Sequence, residues 1–206
     1  MRLIRPMRIA TLALTVLAMS AAPAAARTPV DPNTLNPAPP DYFNAVCESN
    51  DHATICTLSF SDPDIIGEPS GILCGNVELL VSQTRAVVGK RFYDEDGNLT
   101  QRHFRESFTG SFINPLTQMV ATWVQHDTVI HNLAVPGDLA TGTVRISGLF
   151  TRAWVPGTGT IFTDVGTFLN DASTEEVLRS GGKHPFDAYF SGNDPDALAP
   201  LCAALD

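Results

Sequence analysis

From about Ala45 onward, runs rich in Val, Ile, Thr, Phe and Trp alternate with short polar clusters that break regular structure. The clusters are turn signals: Glu95-Asp96-Gly97-Asn98, Asn114-Pro115, Pro136-Gly137-Asp138, Pro156-Gly157-Thr158-Gly159, Asn170-Asp171 and Gly181-Gly182. Asp-Gly between two apolar-rich runs is a strong hairpin signal. The runs carry the β-branched and aromatic residues that fit a pleated surface. They predict strands over Thr54–Ser61, Val77–Tyr93, Leu99–Ile113, Met119–Val135, Thr141–Val155, Thr160–Leu169 and Glu175–Ser180. Several exceed ordinary strand length, so bends are expected, with Gly89, Gly110 and Gly148 as the natural places for bulges. Strands joined by short turns predict an all-β antiparallel fold. A β-barrel is favoured because closure removes exposed edges, with a β-sandwich as the alternative. Only the tail predicts helix: Asp194-Pro195 is an acceptable start, and Pro200 then limits the helix to a short turn through Leu201–Leu205.

The N-terminus is of another kind. Arg2, Arg5 and Arg8 precede an apolar run from Ile9 to Met19, and Ala24-Ala25-Ala26 follows. A basic start, a short apolar centre and a small-residue exit make residues 1–26 a secretory signal peptide, with cleavage after Ala26. The run is too short for a membrane span, which takes about 20 apolar residues. No stable membrane insertion is therefore expected after cleavage, and the protein is read as secreted. Residues 27–44 hold Pro29, Pro32, Pro37, Pro39 and Pro40 and predict a flexible, extended leader. A single β domain over 45–206 completes the organisation.

Composition sharpens this picture. Losing residues 1–26 removes three arginines and no acid, which moves the formal net charge from −9 to −12. So acidic a chain argues against nucleic acid and anionic lipid surfaces as partners. The four cysteines, Cys47, Cys56, Cys74 and Cys202, all follow the export segment and read as two disulfides. Three pairings are possible. Cys47–Cys56 with Cys74–Cys202 is favoured, because the first closes a local turn-like loop and the second ties the chain's end to the first core strand. On a chain-entropy model these would contribute about 2.7 and about 5 kcal/mol. Zinc is the weaker reading, since no C-x2-C pair exists.

Strand Leu99–Ile113 has two distinct faces. Arg102, Phe104, Glu106, Phe108 and Phe112 share one, with an Arg102–Glu106 pair in reach. His103, Arg105, Ser107, Thr109 and Ser111 share the other. The favoured reading puts the Phe face in the core, and the alternative makes the polar face a barrel lining. In the next strand Trp123, Asp127 and His131 lie on one side and His126 on the other. His126 and Asp127 point apart, and Asp127 and His131 stand about 13 Å apart along a regular strand. That spacing argues against a shared metal site. No G-x-S-x-G elbow or phosphate loop appears, and no cofactor is implied.

The layout resembles a known group. Cys74-Gly75 opens the strand Asn76-Val77-Glu78-Leu79, Phe108-Thr109-Gly110 precedes Asn114-Pro115, Pro-Gly turns follow, and the chain ends Leu201-Cys202-Ala203-Ala204-Leu205. These features resemble small secreted actinobacterial β-barrel-like proteins with a C-terminal Leu-Cys-Ala-Ala-Leu type motif. The resemblance covers Leu73 to the end. It implies a barrel-like domain, supports the Cys74–Cys202 pairing and implies no activity. The chain departs from the group in its Cys47–Cys56 loop and in Ala199-Pro200.

Three functions follow as expectations. The first is a binder of a small apolar or amphipathic ligand, with Phe104, Phe108, Trp123, His103, Arg105 and His126 as candidate contacts. The second is a cell-envelope interaction module. The third is an isomerase- or cyclase-like enzyme using His103, Arg105, His126, Asp127 and His131 in a barrel mouth. The sequence specifies no oligomeric state. Material recovered from a secreting host should begin at Arg27 by N-terminal mass spectrometry; an intact Ala26–Arg27 bond in that material contradicts the export reading.

Overall fold

The computed structural model describes residues 27–50 and 52–206, so the expected signal peptide, residues 1–26, lies outside the described residues. Ten strands follow in order: β1 (Thr28–Val30), β2 (Asn44–Asn50), β3 (Ala53–Ser61), β4 (Ile65–Cys74), β5 (Val77–Tyr93), β6 (Leu99–Ile113), β7 (Val120–Asn132), β8 (Thr143–Val155), β9 (Gly159–Asp171) and β10 (Val177–Lys183). Two short helices close the chain, α1 (Pro185–Phe190) and α2 (Ala199–Leu205). All strands belong to one antiparallel sheet in the order β1-β2-β3-β5-β6-β7-β8-β9-β10, with β4 also on β5. The expected all-β antiparallel fold with a short helical C-terminus is present. No ladder joins β1 to β10 among the described residues, so the sheet is not closed by hydrogen bonds.

The length of β5 sets the topology. Its second half pairs with β3, from Thr54↔Tyr93 to Ser61↔Ala86, and its first half pairs with β4, from Ile65↔Gln83 to Cys74↔Val77. Two strands thus share one edge of a third. Sequence patterning missed β4 because Gly67, Pro69 and Gly71 read as loop. The register does shift between Ile65 and Glu68 and between Pro69 and Leu73, where those residues break the ladder. At the tail, Pro200 lies in the first turn of α2 and helps start it. Asp194 instead closes a local turn by accepting the Asp196 N–H.

The leader departs from its expected flexible form. β1 pairs with β2, a 3-10 turn over Pro32–Thr34 follows with Asp31 as its cap, and Leu35 is buried. The prolines lack donors, yet their carbonyls still accept: Pro37 O receives bonds from Arg91 and Tyr93. A proline-rich segment can therefore dock without forming a ladder.

One face of the sheet carries two core clusters. At one end Leu198, Leu201 and Leu205 pack on Leu79, Ala121 and Phe162, with Cys74 joined to Cys202. Each fully buried Leu contributes about 1.5–3 kcal/mol. At the other end Leu35, Leu58, Tyr93, Leu99 and Phe104 cluster around the Cys47–Cys56 disulfide, whose halves are opposite one another on β2 and β3. Both favoured disulfides are present.

Gly89 and Gly110 are not bulges. Each lies opposite an aromatic residue in an unbroken ladder, Gly89↔Phe104 and Gly110↔Trp123. A Cβ at Gly110 would lie 2.4 Å from the Ser82 carbonyl and 2.8 Å from the Trp123 ring. These glycines let large rings lie across the neighbouring strand. Near Gly148 the register does shift, between Leu149 and Thr151. Gly110→Ala should destabilise the fold by about 1–3 kcal/mol in urea unfolding, as overpacking does. Gly181→Ala, where a Cβ meets nothing within 4 Å, should change stability by less than about 0.5 kcal/mol. Equal effects would contradict this role for Gly110.

Candidate functional site

Polar side chains interrupt the same face, both between the two apolar clusters and within the second, where Arg91 and Arg102 sit between Tyr93 and Phe104. The period of two places Arg85 and Arg91 on the core side of β5, Arg102 and Glu106 on that of β6, and Asp127 and His131 on that of β7. Arg85 is the hub of an ion-pair network, with Glu106 at 2.9 Å and Asp62 at 3.2 Å. Its guanidinium lies 5.4 Å from the centre of the Phe108 ring. The expected Arg102–Glu106 pair does not form. Arg85 takes Glu106, and the Nε–H of Arg102 donates to His131 Nδ1 at 3.0 Å.

His131 is fully buried, and its Nε2–H donates to the Thr141 carbonyl at 2.8 Å. With Nδ1 accepting from Arg102, the ring is the neutral Nε2–H tautomer. Burial is the main force holding it below the ordinary imidazole value; the Arg102 charge adds to this, against the Thr141 bond. Asp127 is buried opposite Glu106 and accepts from Gln125 Nε2 at 2.8 Å. Burial raises it above the usual carboxylate range.

Arg91 is 3% exposed. It donates to the Pro37 and Ala38 carbonyls at 3.3 and 3.1 Å, and its Nε is buried without a partner. It stands directly opposite Arg102. Neither arginine has a carboxylate within 4.0 Å among the described residues. Burial, and then the charge of Arg91, lower the Arg102 value.

These groups line a cavity of about 610 Å³. Its polar lining is Asp62, Arg85, Arg91, Arg102 and Glu106, and its apolar lining is Tyr42, Phe43, Phe60, Val87, Phe104 and Val129, with the Phe104–Val129 row of the sheet between the Arg91–Arg102 row and Glu106. Phe43 stacks on Phe104 at 5.7 Å and meets Phe60 edge-on at 5.6 Å. Tyr42, from the leader's end, stands at the mouth, 62% exposed.

The six residues proposed as ligand contacts do not converge. Phe104 lines this cavity, and Phe108 lies under Arg85. Trp123 is core and borders a separate cavity of about 330 Å³ beneath α1. His103 and Arg105 lie on the opposite face with Val88 and Lys90, around a hollow of about 690 Å³. That hollow is larger and shares Phe104, but Val88, Lys90 and Arg105 on it are exposed, whereas the smaller cavity brings the buried Arg91 and the half-buried Arg85, Arg102 and Glu106 together. His126 is exposed and meets Ser107 at 3.2 Å. The residues named for a catalytic mouth are therefore split between two faces.

Sequence reasoning missed Arg85, Arg91 and Asp62, which become visible only once β5 is registered against β6 and β3. It also missed a buried His–acid pair, His184 Nδ1 with Asp164 Oδ1 at 3.0 Å. The other carboxylate oxygen accepts the Phe186 N–H, and His184 Nε2 meets the Gly181 carbonyl. With its hydrogen-bonding atoms occupied and its ring 4.1 Å from that of Phe168, the pair clasps α1 to β9. The described residues contain no cluster of three or more metal-ligating side chains, and none of their helices is long and apolar enough to cross a membrane. No family model, curated protein or solved structure matches this chain.

His131 makes a pH prediction. Its depressed value means that the unfolded chain takes up this proton first as pH falls below about 6.5, before the folded ring does. Its contribution to stability is thus full above about 6.5 and is lost on acidification toward the folded value. An NMR titration should place the His131 midpoint below 6.5, with the Nε2–H tautomer above it. A midpoint above 6.5 contradicts the burial of the ring against the Arg102 charge.

Proposed function

We propose that this protein is a secreted, non-catalytic binder of a small amphipathic molecule, held in the cavity between the leader's end and strands β3, β5, β6 and β7. The carrying observation is the cavity of about 610 Å³ lined by both aromatic and charged side chains. Ligand sites commonly fall between 300 and 1,000 Å³, with apolar walls and a few convergent polar groups. The proposal of secretion draws support from the two disulfides, which persist in oxidising compartments. The enzyme reading draws less support, because each His named for it is either on the opposite face or engaged by Arg102 and Thr141.

The neutral probe N-phenylnaphthylamine tests the cavity without its charges. It should bind saturably at one site by fluorescence, with one probe per chain in native mass spectrometry. Val129→Trp, which fills the apolar wall, should weaken binding by about tenfold or more while leaving the circular dichroism unchanged. Absence of saturable binding by the unmutated protein, or equal binding by the folded variant, contradicts the proposal.

A further inference from the structure

We infer that the polar end of the ligand is a single carboxylate, held by Arg91 and Arg102 as a two-arginine clamp at one end of the cavity. The inference rests on that cavity being the ligand site, and it names the chemistry of the head group.

The first support is an imbalance of charge. The cavity is lined by Arg85, Arg91, Arg102, Asp62 and Glu106. Arg85 binds both acids, at 3.2 and 2.9 Å. Neither is then left for Arg91 or Arg102, which face each other across the β5–β6 ladder. Among these lining residues three cations meet two anions, and Asp127, opposite Glu106 on the same face, is pushed by burial toward its neutral form, so a monoanion complements the two unpaired arginines. Asp171 and Glu175 line an adjoining cavity that Arg102 and His131 share, but neither acid forms an ion pair with Arg102. Asp171 instead accepts from Ser173 and Thr174. Like charges directly opposite in a sheet are destabilising, and buried charges are ordinarily paired. In a chain with 22 acids against 13 basic residues, two clustered arginines without acids point to a counter-charge from outside.

The second support is unused hydrogen-bonding capacity. Guanidinium carries five N–H donors. Arg91 uses one nitrogen, on Pro37 and Ala38, and its buried Nε–H has no partner. Arg102 uses its Nε–H on His131, leaving its terminal nitrogens free of protein partners among the described residues. His131, clamped in turn by Thr141, fixes the Arg102 fork. A planar carboxylate accepts bidentately from such a fork. The third support is placement: Phe104 and Val129 form the next core-side row of the sheet after Arg102 and His131, and Phe43 stacks on Phe104, so an apolar body lies along them while its head meets the clamp.

The test compares dansylaminoundecanoic acid with the matching dansylaminoundecanol at pH 7, and sodium acetate as a head group without a body. The unmutated protein should bind the acid about tenfold or more tightly than the alcohol, as charge-assisted bonds require, and acetate only weakly. Arg102→Met keeps an apolar stem, and its partly exposed position tolerates the change. It should reduce the preference to less than about threefold in protein whose circular dichroism is unchanged. Arg91→Met should act likewise if it folds, with Arg102→Met deciding the matter if it does not. Equal binding of acid and alcohol overturns the clamp while the cavity reading stands on the neutral probe. A preference that survives Arg102→Met in folded protein also overturns it. Loss of acid, alcohol and neutral probe alike overturns both readings.

Discussion

A guanidinium buried to 3% exposure without a carboxylate is the constraint that organises much of this molecule. Moving such a charge out of water costs several kcal/mol even after relaxation. Part of the offset comes from the Pro37 and Ala38 carbonyls, which the leader brings over β5. Tyr93, two residues along the same face, donates to Pro37 as well. The segment that supplies these oxygens also carries Leu35 into the core and Tyr42 and Phe43 to the cavity mouth. The leader's docking and the cavity therefore depend on the same contacts.

The two apolar clusters explain why the polar middle persists. Helix α2, tied by Cys74–Cys202, seals one end of the sheet face. The leader and the Cys47–Cys56 pair seal the other. Charged and half-buried side chains lie between and within these clusters, and their pairing is uneven. Arg85 pairs with two acids although its Nε is buried without a partner, His184 and Asp164 pair with each other, and Arg91 and Arg102 are left with neutral partners. Structural ion pairs and the proposed anion site thus lie side by side on one sheet.

Strand content was legible because period-two alternation and Gly/Pro punctuation agreed over the meander; Val77–Tyr93 and Leu99–Ile113 have the same bounds in sequence and structure. The polar-rich β2, the Gly- and Pro-broken β4 and the six-residue α1 lack such agreement, and patterning passed over them. The core face of β6 was also legible, since Phe104 and Phe112 are buried. The candidate site was legible only in part. Phe104 was named, but the arginine pair depends on long-range register between β5 and β6, which no local pattern encodes. Treating aromatics and histidines of adjacent strands as one set placed His103, Arg105 and His126 with Phe104, although alternation sends them to the other face.

The central claim is that one sheet face holds an amphipathic anion, apolar body on the Phe60–Phe104 wall and head at Arg91 and Arg102. A crystal structure of the protein with laurate tests it most directly. The account predicts one laurate per chain, its carboxylate within hydrogen-bond distance of the Arg102 terminal nitrogens and its chain against Phe60 and Phe104. Laurate seated instead in the hollow beside His103 and Arg105, with the Arg91–Arg102 cavity empty, would contradict it.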